Sequence, residues 1–269
     1  MIKVLYHANC NDGFCAAWVL YRIYKDKAEY IPVKYGQDPP ILNSDDDVII
    51  VDFSYKRDVL LNLKSKVKSL LVLDHHKTAQ KDLEGLDFCK FDMTKSGAHI
   101  TWEHYNPGSP LHSLVEYTED RDLWLWQLPY SREINATLNL YEHDLRLWND
   151  YVSVKIVQSK DLLINEGQTI LKYEEKLVKQ HTENAVEYIL DDFNILGVNA
   201  TVLYSDIAGQ LSQGRPFGFA YFIREDGKYQ YSLRSDPNGV DVSEIAKRFG
   251  GGGHFHAAGF EHVDFIFTK

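Results

Sequence analysis

The sequence predicts an α/β protein: a first lobe with a mainly parallel sheet, a long linking helix, and a smaller mixed α/β C-terminal lobe. Three observations predict it. Up to residue 77, short apolar runs alternate with helical stretches, the pattern of parallel strands joined by crossover helices. Residues 159–185 hold no proline and carry one amphipathic helical pattern, interrupted only by Gly167. Residues 186–269 are rich in turns and strands. The boundaries that follow are 1–155 for the first lobe, 156–185 for the linking helix and 186–269 for the second lobe.

Composition narrows the function classes. A chain of 269 residues, 44% apolar and 25% charged, can bury a core without staples. No apolar run reaches membrane-spanning length, and Asp12 breaks any early secretory pattern, so no membrane partner is expected. Cys10, Cys15 and Cys89 form neither a paired framework nor a close-spaced zinc pattern, which fits a reducing, cytoplasmic setting. A net charge of −10 argues against a grip on long duplex nucleic acid. It leaves room for a short anionic substrate.

The elements follow in order. Lys3–His7 reads as a strand ending in His7, then a turn-rich loop carries Asp12, then residues 14–24 form a buried helix. Residues 28–35 read as a second strand, placed at an edge by Pro32. Asp45–Asp47 reads as a solvated loop opening the strand Val48–Val51, which ends in Asp52. Ser54 is a candidate cap for a helix over 56–67, where Val59, Leu60, Leu63 and Val67 share one face. The strand Leu70–Leu73 ends in Asp74, His75 and His76.

Parallel strands bring His7, Asp12, Asp52, Asp74, His75 and His76 to one edge of the sheet. Ligands of open α/β sheets collect past the strands' carboxyl ends. Imidazoles and carboxylates together make a metal site the expectation.

Residues 86–92 add a short strand, Ser96 opens a helix through Tyr105, and another helix from about Pro110 carries Asp120 and Asp122 around Arg121. Those two carboxylates read either as a surface ion-pair cluster or as a further metal ligand. In the second lobe, Phe217–Ile223 and Tyr229–Arg234 form a hairpin, and a helix from Val242 to Phe249 precedes four glycines and His254. Glycines let backbone approach a ligand and offer N–H groups to an anion, and Arg234 at its strand end can clamp a phosphate. With 7 Lys/Arg against 11 Asp/Glu, this lobe is no basic platform. Phe217, Phe219, Tyr221 and Phe255 are either core residues or stacking surfaces for bases.

Together, His7–Gly13 with Ala16-Ala17, Val51–Ser54, Asp74-His75-His76, Glu119–Asp122, and the glycine run with His254 and Ala257–Gly259 resemble the DHH phosphoesterase superfamily, in the branch with a C-terminal DHH-associated domain. The resemblance implies a phosphoesterase with two manganese ions, with magnesium, cobalt or zinc as substitutes. It implies that His7, Asp12, Asp52, His75 and Asp120 hold metal, with Asp52 shared by both ions. Asp120 is favoured over Asp122. Asp74 resembles the carboxylate that orients its neighbours and His76 the group at the scissile phosphate. Arg234, Gly251, Gly252, Gly253 and His254 resemble the substrate-phosphate grip. Many relatives carry Asp two positions before Asp12, where this chain has Cys10. That thiol either ligates, which favours a softer metal such as zinc, or simply sits near the site.

The activity expected is hydrolysis of phosphodiester bonds in short oligonucleotides, linear or cyclic dinucleotides or related nucleotides. Two divalent ions about 4 Å apart would activate water and neutralise phosphoryl charge. The alternatives are a pyrophosphatase or exopolyphosphatase, and an inactive relative that binds nucleic acid or protein. A homodimer is left open.

Overall fold

The computed structural model describes residues 1–269, which divide into two compact units, Met1–Leu171 and Lys172–Lys269. The first begins with β1 (Ile2–His7), α1 (Asn11–Tyr24), β2 (Ala28–Val33), β3 (Asp47–Val51), α2 (Arg57–Lys66), β4 (Ser69–Asp74), α3 (Lys77–Asp82) and β5 (Cys89–Phe91). These strands make a five-stranded sheet in the order β2-β1-β3-β4-β5, parallel throughout. Val4, Leu5, Ile50, Val51, Val72 and Leu73 are fully buried, as strands covered on both faces require. One core cluster joins the sheet to Trp18, Val19 and Leu20 of α1; another joins it to Leu60 and Leu63 of α2. Pro32 lies on the edge strand β2, where its missing donor breaks no inner ladder.

The strand order places the site. The chain runs outward from β1 to β2 and then crosses to β3 on the other flank of β1, a topological switch point. Tyr6 pairs with Val51, and Val51 with Leu73, so His7, Asp52 and Asp74 leave the sheet at one level.

The unit continues with α4 (Gly97–Tyr105), α5 (Ser113–Asp122), α6 (Ser131–Leu138), α7 (Leu145–Leu147), a π turn over Trp148–Val152, α8 (Ser153–Gln158) and the start of α9 (Lys160–Thr182). Both α4 and α5 lie against α1. Ser96 caps α4 by accepting the His99 N–H at 3.2 Å. The helix expected from about Pro110 starts at Ser113 instead, with His112 as its cap; the ring Nδ1 accepts the Leu114 N–H at 3.1 Å.

Two further local expectations are corrected. Ser54 does not cap α2, which starts at Arg57 without a side-chain cap; its hydroxyl is drawn to the buried Asp74 carboxylate. Asp46 is not solvated: it is 1% exposed, accepts the Asn43 N–H at 2.8 Å and meets the N-terminal ammonium at 3.2 Å.

The second unit holds the end of α9, then β6 (Val186–Leu190), β7 (Phe193–Asn199), α10 (Tyr204–Leu211), β8 (Gly218–Ile223), β9 (Tyr229–Arg234), α11 (Val242–Arg248), β10 (Gly252–His254) and β11 (Ala257–His262). Its six-stranded sheet has the order β10-β11-β9-β8-β7-β6. The β7–β8 pair is parallel and the others are antiparallel. Phe217 and Phe219 belong to its core, Phe219 stacked on Phe267 with centroids 3.8 Å apart, whereas Phe255 is exposed.

The glycine run has a structural account. Gly250 takes φ +81°, its N–H donates to the Lys247 carbonyl, and the Gly251 N–H donates to the Ala246 carbonyl at 2.9 Å. This is a Schellman end to α11. Gly252, Gly253 and His254 then pair with Gly259, Ala258 and Ala257. The expectation that the Gly251 N–H faces an anion is therefore corrected: it is spent on the helix end.

Candidate metal centre

Asp52 is the hub. It follows β3 in a left-handed conformation (φ +52°), which a short polar side chain tolerates, and it is 1% exposed. One carboxylate oxygen, Oδ1, meets His75 Nε2 at 3.0 Å. The other, Oδ2, lies 3.4 Å from His7 Nδ1 without hydrogen-bond geometry, and both of those atoms are buried without a hydrogen-bond partner.

His75 Nε2 also lies 3.6 Å from Asp12 Oδ2 and 3.5 Å from Asp122 Oδ2. The Asp12 carboxylate is cradled by the first turn of α4, accepting the Gly97 N–H at 2.6 Å and the Ala98 N–H at 3.0 Å. Gly97 permits that approach: a Cβ there would stand 2.5 Å from the Asp52 Cβ and 3.0 Å from Asp12 Oδ2. Asp122 closes α5, and its buried Oδ2 has no hydrogen-bond partner.

Asp74 is engaged differently. Its Oδ2 accepts the Ser54 hydroxyl at 2.6 Å, and its Oδ1 accepts the backbone N–H of His75 at 2.8 Å. The same Oδ1 meets His76 Nδ1 at 2.7 Å. Its Oδ1 is shared by the two histidines it positions, and its Oδ2 is held by Ser54.

The electrostatics ask for a cation. Burial, with the nearby Asp52 and Asp122 carboxylates, pushes the Asp12 carboxyl well above its usual range. Burial and Asp52 raise Asp122 as well. Burial alone would raise Asp52, but the His7 and His75 imidazoles outweigh it and hold the carboxyl well down. Burial works against a charged His75, yet Asp52, Asp122 and Asp12 together lift its imidazole well above the usual value. Three carboxylates converging on one imidazole form an arrangement whose charge a divalent ion would balance. Mixed imidazole and carboxylate donors with unpartnered buried oxygens fit such an ion.

The structure thus gathers His7, Asp12, Asp52 and His75, with Asp74 and His76 beside them. Asp120 is not among them. It is buried, but its Oδ1 accepts the Gln127 N–H at 2.8 Å and its Oδ2 faces the Leu128 N–H at 3.4 Å, so it braces the turn after α5. Asp122, two residues on, is the one that lies beside His75. The periodicity of a short helix end could not separate residues two apart. Gly97 and Ala98 are not expected at the site, and Ser54 only as part of the Val51–Ser54 match; the partners they serve give them their roles. Arg234 closes β9, and its guanidinium donates to the Leu233 carbonyl at 2.8 Å and to Ser205 Oγ at 2.7 Å. Gly252, Gly253 and His254 lie in β10, in the same unit as Arg234.

Residues 183–263 match the DHHA1 domain. Uncharacterized protein R106 of Acanthamoeba polyphaga mimivirus is 34% identical over 285 residues, covering 95% of this chain and 66% of that protein. Oligoribonuclease NrnB of Bacillus subtilis is 24% identical over 250 residues, covering 84% of this chain and 61% of NrnB. The chain belongs to the DHH superfamily and carries the DHH-associated domain. Its fold agrees: the pGpG-specific phosphodiesterase PggH of Vibrio cholerae superposes with a TM-score of 0.51 at 16% identity, covering 97% of this chain and 93% of PggH. This DHH chain spans about two-thirds or slightly less of the length of the two sequence relatives, 66% and 61%. No helix of the DHH chain is long and apolar enough to cross a membrane.

Proposed function

We propose that this DHH protein is a divalent-metal-dependent phosphodiesterase acting on short oligonucleotides or dinucleotides. The observation that carries the reading is Asp52, a buried carboxylate with one oxygen toward His7 and the other toward His75. That is the disposition of a carboxylate shared by two ions. His7 would serve one side, and Asp12, His75 and Asp122 the other. When bound, a pair of divalent ions supplies charge neutralisation at the phosphoryl oxygens and makes a bound water acidic enough to attack. Manganese is favoured over magnesium because imidazole joins the carboxylates.

The chain's own residues do the rest. Asp74 holds His76 through Nδ1, and the electrostatic pull of that carboxylate outweighs burial and raises the imidazole above its usual value. With Nδ1 turned to Asp74, Nε2 is the ring atom suited to stabilise or protonate the leaving oxygen. In the second unit, Arg234 offers a preset guanidinium of the kind that binds phosphate. The likeness to an oligoribonuclease supports a nucleotide substrate over polyphosphate. Three free cysteines support a reducing, cytoplasmic setting.

The test is turnover of 5′-labelled RNA dimers to pentamers, pGpG, pyrophosphate and polyphosphate by metal-depleted protein with and without manganese. Manganese-dependent release of mononucleotides, lost in Asp52→Ala with the protein still folded, is the expected result. Undiminished turnover in excess chelator, or turnover of polyphosphate alone, overturns it.

A further inference from the structure

Two of the close clusters of donor atoms at the centre differ in chemistry. Asp12, His75 and Asp122 form one, all nitrogen and oxygen. His7, Cys10 and Asp52 form the other, with the thiol sulfur, a ring nitrogen and a carboxylate oxygen all within 4.8 Å of one another.

Cys10 stands at the N-cap of α1 with extended backbone (φ −127°, ψ 131°), and its side chain makes no cap hydrogen bond. Helix starts favour Ser, Thr, Asp or Asn because those side chains accept an N–H. A cysteine sulfur is only a weak acceptor there: the Gly13 N–H faces it, outside hydrogen-bond geometry. Its side chain is set instead beside two buried atoms that lie 3.4 Å apart and make no hydrogen bond, His7 Nδ1 and Asp52 Oδ2, the latter on a residue 1% exposed. Asp12 does not complete this group: both its oxygens are turned to α4 and to His75. The His7 side of the centre therefore has two ligands without Cys10 and three with it.

We propose that Cys10 is a metal ligand, so that the ion between His7 and Asp52 is held by sulfur, nitrogen and oxygen while its neighbour is held by nitrogen and oxygen alone. The proposal rests on the metal reading above and refines it. A thiolate selects softer ions of the zinc and cobalt kind, whereas the Asp12–His75–Asp122 group suits manganese. The centre then has two sites of different preference, and a mixed pair of ions fills it better than two of one kind. Coordination releases the thiol proton to solvent and leaves the oxidation state of sulfur and metal unchanged.

The test titrates metal-depleted full-length protein with cobalt(II) and reads the absorption spectrum. Wild type is expected to show visible d–d bands together with a near-ultraviolet sulfur-to-cobalt charge-transfer band. Cys10→Ser should lose the charge-transfer band and keep d–d absorption, while Cys89→Ser keeps both. Zinc affinity by calorimetry should fall by roughly tenfold or more in Cys10→Ser. Cys10→Asp should bind manganese more tightly than wild type does and zinc less tightly. Far-ultraviolet dichroism checks that each variant is folded; the Cys10→Asp preference decides the matter should Cys10→Ser not fold. Cobalt bound by wild type without a charge-transfer band, or a band that survives in Cys10→Ser, overturns the assignment of Cys10 alone. Absence of any Asp52-dependent cobalt binding overturns the metal centre with it.

Discussion

The Ser54 hydroxyl donates to Asp74 Oδ2 at 2.6 Å, deep under the histidine pair that Asp74 holds. Ser54 therefore acts on His76 through one intermediary. Removing the hydroxyl leaves a buried carboxylate short of a donor and frees it to turn. Ser54→Ala should lower kcat by roughly tenfold with KM and manganese affinity nearly unchanged, as the loss of an outer partner does. It should also cost about 1–3 kcal/mol of stability, measured by denaturant unfolding. Ser54→Thr should recover most of both. A drop in manganese affinity instead would mean that Asp74 braces a ligand more than it braces His76.

The two carboxylates at the end of α5 separate by experiment. Asp122 has a buried oxygen without a hydrogen-bond partner, 3.5 Å from His75; Asp120 spends its oxygens on the Gln127 and Leu128 N–H groups. Asp122→Asn should weaken manganese binding by roughly tenfold or more and leave unfolding almost unchanged. Asp120→Asn should do the reverse, lowering stability by about 1–2 kcal/mol with metal retained. Manganese titration followed by paramagnetic resonance, beside thermal unfolding of both variants, reads the difference. The opposite pattern would return the ligand role to Asp120.

How far the site was legible in the sequence follows from how each residue is placed. His7, Asp52 and Asp74 sit where strands end, and strands were visible as apolar runs; register then carried them to one level. Asp12 followed because a short loop ties it to β1. Residues whose role depends on a long-range contact left no such trace. Gly97 meets Asp12 across 85 positions and Ser54 meets Asp74 across 20, and each read as an ordinary helix-start residue. The glycines after α11 carry a second demand that the sequence does not single out. Their run reads as a ligand loop, and helix termination and a tight antiparallel pair also need residues without Cβ, which are needs met there.

His112 gives the fold an acid-side weakness. Burial, helped by the nearby Arg22 charge, pushes its imidazole down to about 4. Folding thus favours the neutral ring, whose Nδ1 accepts the Leu114 N–H at the start of α5. The unfolded chain takes up the proton near its ordinary value of about 6.5, so stability declines as pH falls through that value and the decline saturates below about 4. With the ring only half-buried, the expected loss is about 1–2 kcal/mol after solvent screening is allowed for. His112→Asn keeps a cap acceptor without a titrating group. Denaturant unfolding of wild type and His112→Asn at pH 7 and pH 4.5 should show the variant losing less stability between them. Equal losses would place the acid sensitivity elsewhere.

Arg234 tests where substrate choice resides. Its guanidinium is aimed by the Ser205 hydroxyl at 2.7 Å and its own strand's Leu233 carbonyl at 2.8 Å, so it is held before any ligand arrives. A planar, preset fork suits a phosphate. Binding energy taken from a phosphate remote from the scissile bond can raise turnover by positioning that bond, not only tighten binding. Arg234→Ala should therefore lower kcat/KM on an RNA dimer by roughly tenfold to a thousandfold, the range of a charge-assisted contact of about 1.5–3 kcal/mol plus lost positioning. A nitrophenyl phosphate, which has no second phosphate, should be hydrolysed almost as before. Ser205→Ala should produce a smaller loss of the same selectivity, because it loosens the fork without removing it. Parallel losses on both substrates in Arg234→Ala would show that Arg234 supports the fold of its unit, and the choice of substrate would then lie with the metal centre.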